Sequence, residues 1–228
     1  MNAFFDATVA LAYKITRGVH KLVLTMFFSG VAICASANEI VIVAFGDSLT
    51  YGYGLPTEDG FVPQLEIWLR DRGADVRIIN AGVSGDTTGG GLARVDWVLG
   101  DDVDAVILEL GANDFLRGIP PAVARENLDA IMAIIIAKDL PVLIAGMPAP
   151  TNYGAAYKTE FDAIYPMLAE KYRAPLYPYF MNGIVEGHGA ADPMDFIQAD
   201  GLHPNAAGAQ LIVQDIGPAV LALISSMD

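Results

Sequence analysis

The 228-residue chain carries 13 Lys plus Arg against 27 Asp plus Glu, a net charge of −14, so it offers no basic stripe to a phosphate backbone and nucleic acid is excluded as a partner. A single cysteine, Cys34, excludes an intramolecular disulfide framework and a thiolate metal cluster, and three histidines are too few for a His-rich zinc site. The length suits one domain with a sizeable core; the acidity bears on solubility and not on fold.

At the start of the chain Lys14, Arg17 and Lys21 precede an apolar run over residues 22–33 that ends at Ala35-Ser36-Ala37. A basic segment, a short apolar segment and a small-residue site in that order read as a secretory signal peptide over residues 1–37. The apolar run is shorter than the roughly 20 residues of a membrane-spanning helix. The alternatives are an uncleaved anchor and lipidation of Cys34, although Ile33 is larger than lipoprotein processing normally accepts at that place. Removal of residues 1–37 leaves a mature chain that starts at Asn38, has no cysteine and keeps only His188 and His203. Such a protein is periplasmic or secreted and has no stable insertion in a membrane.

From Glu39 onward apolar strand-like runs alternate with amphipathic stretches, the pattern of a βαβ protein with a parallel sheet. Val41-Ile42-Val43-Ala44-Phe45 is apolar on both faces, as in strands covered by helices, and it stops abruptly at Gly46-Asp47-Ser48. In open α/β sheets the crevice beyond the carboxyl ends of the strands holds the ligand, which puts Ser48 where chemistry is expected. Asp47 and Ser48 also suit the plainer task of capping the next helix.

Phe61, Leu65, Trp68 and Leu69 make one face of a helix over residues 61–72, with Gly73 as its stop. Val76-Arg77-Ile78-Ile79 reads as the second strand, ending at Asn80-Ala81-Gly82. Gly89-Gly90-Gly91 opens a short helix; no Lys-Ser or Lys-Thr follows, so it is not a phosphate-binding P-loop. Asp101, Asp102 and Asp104 lack EF-hand spacing and read as a solvated turn. Residues 105–110 form the third strand and run into Gly111-Ala112-Asn113-Asp114.

Pro120-Pro121 begins a helix with Ala124, Leu128, Ile131, Met132 and Ile135 on one face. Residues 142–146 are the fourth strand, 147–157 a loop, and Phe161, Ile164, Leu168 and Tyr172 the apolar face of a helix that Pro166 starts or kinks. Residues 176–180, flanked by prolines, make an edge strand. A long irregular stretch to Gly201 ends at Asp200-Gly201-Leu202-His203, before a final helix over residues 206–224 with a bend at Gly217-Pro218. Residues 38–228 therefore read as a single domain.

The polar clusters at the strand ends have one joint explanation. A serine hydroxyl is a weak nucleophile until a base takes its proton, and histidine is the side chain suited to that task near neutrality. A carboxylate on the other imidazole nitrogen fixes the tautomer, and Asp200 stands three residues before His203. The backbone N–H groups of Ser48 and Gly82 and the Asn113 side-chain amide would then face the developing oxyanion. The catalytic candidates are Ser48, Asp200 and His203, with Ser48, Gly82 and Asn113 as the oxyanion hole and no cofactor or metal.

No G-x-S-x-G occurs, so the nucleophile-elbow arrangement is excluded. The blocks Gly46-Asp47-Ser48-Leu49, Asn80-Ala81-Gly82, Gly111-Ala112-Asn113-Asp114 and Asp200-Gly201-Leu202-His203 instead resemble, in order, those of the GDSL or SGNH hydrolase family, over about residues 39–224. Ser48-Leu49-Thr50-Tyr51-Gly52 and Gly85-Asp86-Thr87-Thr88 are most similar to the bacterial periplasmic enzymes that act as thioesterase, arylesterase and lysophospholipase. The resemblance implies a flavodoxin-like three-layer α/β/α fold with a central parallel sheet of about five strands. It also implies hydrolysis of small-molecule acyl esters and thioesters through an acyl-serine intermediate, without a cofactor. A carbohydrate O-deacetylase and a non-catalytic acyl binder on the same scaffold are the rival readings. His188, with no aspartate three residues before it, reads as a loop histidine, and Asp192 and Asp195 as loop residues able to replace Asp200 only if that loop folds otherwise.

Overall fold

The computed structural model describes residues 39–187, 189 and 191–227; the segment 1–37 read above as a signal peptide, Asn38 and His188 lie outside the described residues. In chain order the elements are β1 (Ile40–Gly46), α1 (Ser48–Tyr51), α2 (Phe61–Arg70), β2 (Val76–Gly82), α3 (Thr88–Val98), β3 (Ala105–Glu109), α4 (Ala112–Leu116) and α5 (Pro121–Ala137). There follow β4 (Val142–Ala145), α6 (Ala155–Asp162), α7 (Ile164–Tyr172), β5 (Leu176–Tyr177), α8 (Asn182–Gly187) and α9 (Ala206–Ser225).

The five strands form one sheet in the order β2-β1-β3-β4-β5, every neighbouring pair parallel. That order is the flavodoxin-like one, and its switch point lies where β1 sends one connection left to β2 and the chain returns on the right to β3. Helix α9 packs against α2 and α8, and α5 packs against α3, α6 and α7, so the sheet is covered by two helical layers. The continuous burial of β1, β3 and β4 follows from this cover, because Ile42, Phe45, Ile107, Leu108 and Leu143 meet a helix whichever face they point to. Each such side chain contributes about 1.5–3 kcal/mol by leaving water.

Several boundaries differ from the sequence reading. Strand β2 does not stop at Ile79 but runs on to Gly82, paired residue for residue with β1 as far as Gly46↔Gly82. Its length is decided by its neighbour, since β1 offers ladder partners beyond the apolar run. The stretch after β4 is a loop only to Gly154; α6 begins at Ala155 and hands over at Ala163 to α7, with Pro166 in the first turn of the latter, where its missing N–H costs no helical bond. The edge strand β5 keeps only Leu176 and Tyr177. The irregular stretch before Gly201 contains α8 and a short 3-10 turn, Pro193–Phe196. Helix α9 continues through Pro218 to Ser225. It is long and apolar enough to cross a membrane, yet half of its apolar window is buried against the rest of the protein, as in a core helix.

Candidate active site

The site forms at the carboxyl edge of the sheet, around the switch point. Immediately after β1 the Asp47 carboxylate accepts from the Leu49 N–H at 3.0 Å and caps α1, so Ser48 becomes the first residue of a one-turn helix. The capping reading therefore holds for Asp47, while the Ser48 hydroxyl is left for other work. Its Oγ lies 2.9 Å from His203 Nε2, and His203 Nδ1 lies 2.6 Å from Asp200 Oδ2. With Nδ1–H donating to the carboxylate, Nε2 carries the lone pair and accepts from the serine hydroxyl.

The other Asp200 oxygen accepts from the N–H groups of Leu202 at 2.9 Å and His203 at 3.1 Å. The bond from the His203 ring, and then these two amides, hold the Asp200 carboxyl down at about 2. Asp192 and Asp195 serve elsewhere: Asp192 Oδ1 caps the 3-10 turn through the Met194 N–H, and the Asp195 carbonyl accepts from Asn205 Nδ2.

The turn bearing Asp200 and His203 is braced. Ile197 bridges Pro204, the Gln198 N–H donates to the His203 carbonyl at 2.7 Å, and Gln198 Nε2 donates to the carbonyls of Tyr53 at 2.7 Å and Pro204 at 2.8 Å. The Tyr53 ring packs on His203 with centroids 4.7 Å apart. Neither Gln198 nor Tyr53 was singled out from the sequence, because their contacts join segments 145 residues apart and leave no local pattern.

Asn113 stands in the first turn of α4, and its Nδ2 donates to Asp47 Oδ2 at 3.0 Å, which leaves the second amide hydrogen for a ligand. Gly82 does not join it. Gly82 lies within β2, its N–H is engaged by the Asn80 side-chain oxygen at 3.0 Å, and it is not part of the cavity lining. The glycine that borders the cavity is Gly85, in the loop after β2, at φ 85°, a conformation that other residues rarely take. The N–H of Gly85 has no hydrogen-bond partner among the described residues, and its carbonyl accepts from Arg117 Nη2 at 2.6 Å. Of the two glycines, Gly85 and not Gly82 borders the cavity.

The same loop is anchored from behind. Arg94 pairs with Asp86 at 2.6 Å, donates to the carbonyls of Ala81 and Gly46 at 2.8 Å each, and stacks over the Phe45 ring. Thr88 donates its hydroxyl and its N–H to the Asp114 carboxylate at 2.6 and 2.7 Å, which ties the start of α3 to α4. Burial raises the Asp47 carboxyl to about 6, and burial also pushes Glu109, at the end of β3, well above the ordinary carboxylate range.

Ser48, Gly85 and Asn113 open on a cavity of about 540 Å³ whose other walls include Phe115, Met147 and Leu202. Among the described residues no group of His, Cys, Asp and Glu is arranged to hold a metal ion. A serine aligned with an imidazole and a carboxylate, beside unengaged N–H donors and an apolar cavity, has what acyl transfer to water requires.

Residues 44–211 match the GDSL-like Lipase/Acylhydrolase family. The chain is 37% identical over 191 residues to the esterase TesA of Pseudomonas aeruginosa, covering 83% of this chain and 91% of that protein. It is 36% identical over 173 residues to thioesterase 1/protease 1/lysophospholipase L1 of Escherichia coli K12, covering 75% and 77%. The crystal structure of AlinE4, an SGNH-hydrolase family esterase, superposes with a TM-score of 0.66 at 46% identity over 81% of this chain and 96% of that one. By sequence and by fold, the chain belongs to the GDSL-like lipase/acylhydrolase family and is a carboxylic ester hydrolase.

Proposed function

We propose that Ser48 is the nucleophile, His203 the base and Asp200 the residue that orients it, in hydrolysis of acyl esters and thioesters. The observation that carries this reading is the aligned chain Ser48 Oγ, His203 and Asp200, at 2.9 and 2.6 Å, open to the apolar cavity. His203 Nε2 takes the hydroxyl proton as Oγ bonds to the acyl carbon, and the carbonyl oxygen gains the negative charge. The N–H groups of Ser48 and Gly85 and the Asn113 amide stabilise that charge. Collapse passes the proton from His203 to the departing oxygen or sulfur and leaves an acyl-serine; water repeats the sequence and releases the acid.

The cavity walls favour an acyl chain over an acetylated sugar. Phe115, Leu116, Met147, Met181, Ile197 and Leu202 offer apolar surface and few polar groups to pair with ring hydroxyls. Export to the periplasm or medium rests on the order of charged, apolar and small residues in segment 1–37. Sequencing the mature N-terminus tests it, with Asn38 as the expected first residue.

The test of the chemistry is a fluorophosphonate label followed by peptide mapping and turnover of aryl esters, acyl thioesters and acetylated sugars. Ser48 should be the modified residue, and Ser48→Ala should fold normally and lose turnover. A folded Ser48→Ala variant with parental activity would remove Ser48 from the mechanism; a strict preference for acetylated sugars would transfer the protein to the deacetylases.

A further inference from the structure

Glu109 ends β3 with its side chain fully buried, and the mechanism above makes no use of it. Its Oε2 accepts from Thr50 Oγ1 at 2.8 Å and from the Asp47 N–H at 3.3 Å. Its Oε1 is buried as well, and among the described residues no donor meets it. The neighbouring Asp47 is equally buried but uses both oxygens: Oδ1 accepts from the Leu49 N–H and Oδ2 from Asn113 Nδ2, each at 3.0 Å. Arg94, the cation that reaches this end of the sheet, spends its donors on Asp86, Ala81 and Gly46.

Two neighbouring carboxylates, both buried and neither ion-paired among the described residues, do not both keep their charge. Asp47 keeps it, because both of its oxygens meet N–H donors. On Glu109 the proton belongs on Oε1, since Oε2 already accepts from Thr50 and Asp47, and the two residues are joined through the Asp47 N–H and Glu109 Oε2. A continuous chain therefore runs from the end of β3, through the residue before the nucleophile, to the amide in α4.

We propose that Glu109 is a positioning residue for ester hydrolysis: through the chain Glu109, Asp47, Asn113 it sets the direction of the Asn113 amide. The proposal rests on Asn113 being an oxyanion donor, as read above. With one amide hydrogen fixed on Asp47, the other is aimed at the cavity; if the Asp47 N–H loses its acceptor on Glu109, residue 47 shifts and the amide turns with it. A glutamine at position 109 preserves the geometry, since its oxygen takes the place of Oε2 as acceptor for the Thr50 hydroxyl and the Asp47 N–H.

The experiment is a double-mutant cycle on kcat per fluorophosphonate-titrated site, with KM and unfolding temperature measured on the same preparations. Asn113→Ala should lower kcat by about 10²- to 10³-fold. Glu109→Ala should lower kcat by about tenfold or more at unchanged KM, and the double variant should be no slower than Asn113→Ala alone, because the two changes break one chain. Glu109→Gln should keep kcat within about threefold, because its oxygen keeps both donors that Oε2 accepts from.

Parental kcat in folded Glu109→Ala, losses that multiply in the double variant, or a folded Glu109→Gln as damaged as the alanine variant would each overturn the proposal. If Glu109→Ala fails to fold, Glu109→Met, of similar length and without a donor, replaces it, and the glutamine variant still decides. Parental kcat in Asn113→Ala would instead overturn the oxyanion reading itself, an outcome distinct from multiplying losses, which sink the role of Glu109 alone.

Discussion

Arg117 donates to the carbonyl oxygen of Gly85 at 2.6 Å, so the loop that follows β2 is latched to the end of the helix that carries Asn113. The latch is exposed, but it joins two of the three groups that face the cavity beside Ser48. Arg117→Ala should therefore act on rate and barely on stability. We expect kcat to fall about 3- to 10-fold, the value of one solvent-exposed charged hydrogen bond, with KM unchanged. The unfolding temperature should move by no more than about 2–4 °C. An equal loss in Arg117→Lys is expected too, because the shorter point charge does not reproduce the guanidinium geometry. Parental kcat in the alanine variant would make the latch irrelevant to catalysis.

Asp200 is held ionised down to about pH 2 by the His203 ring and two amides, so it does not titrate in the working range. With its folded value depressed, whatever stability it adds is present above the ordinary carboxylate range and is lost as pH falls through about 2. A fall of activity above about pH 2 is therefore not due to protonation of Asp200. Asp200→Asn should reduce kcat by on the order of 10²- to 10⁴-fold through loss of the correct tautomer, while Asp192→Asn and Asp195→Asn remain near the parent. A pH–rate profile for all three settles the assignment: a larger loss in Asp192→Asn or Asp195→Asn would move the acid away from Asp200.

Much of the site could be read from the chain because its parts are local. Ser48 and Asn113 each follow an apolar run by a few residues, and Asp200 and His203 share one turn. Fold class was legible for the same reason, since strands buried on both faces announce a covered parallel sheet. Gly82 lies within β2 and not beyond it, because the end of β2 is set not by its own apolar residues but by β1, which pairs with it as far as Gly46. Arg94, Arg117, Gln198 and Tyr53 act across long sequence separations on backbone carbonyls or rings, where no spacing rule applies. Glu109 was hidden by its setting, one acid at the end of an apolar strand, where only its contacts with Thr50 and Asp47 show its place.

The buried pair of carboxyl groups makes stability depend on pH in a defined direction. Burial raises Glu109 above its ordinary value, so the native state holds a proton that the unfolded chain releases, and stability falls as pH rises from the ordinary range of glutamate toward the raised value. Asp47, raised to about 6, adds the same sign between about pH 4 and 6. Glu109→Gln cannot release this proton. Its unfolding free energy relative to the parent should therefore improve from pH 5 to pH 8, by up to about 1.4 kcal/mol per pH unit while one proton separates the two states. Thermal or denaturant unfolding of both proteins at the two pH values provides the measurement. A gap that does not change with pH would mean that Glu109 folds in its ionised form.

The choice between Gly85 and Gly82 as oxyanion donor can be made with two alanine substitutions, because their structural costs differ. At Gly85 an added Cβ finds the Arg117 guanidinium only at 3.4 Å, an ordinary contact, so the penalty comes from φ 85°, about 1–2 kcal/mol for a residue with a side chain. Relief of that strain rotates the peptide and turns the N–H away from the cavity. Gly85→Ala should stay folded and lose about 10²- to 10³-fold in kcat with KM little changed. At Gly82 the Cβ would meet the backbone of Tyr51 and the Asp47 carbonyl at 2.7–2.8 Å, contacts that no side-chain rotation relieves. Gly82→Ala should consequently lower stability more than Gly85→Ala. The fraction that folds should keep more of its kcat, since the N–H of Gly82 is already engaged by Asn80. Counting active sites with a fluorophosphonate separates the two effects in each preparation. A folded Gly85→Ala enzyme with parental kcat, beside a Gly82→Ala enzyme that titrates fully and turns over slowly, would return the oxyanion role to Gly82.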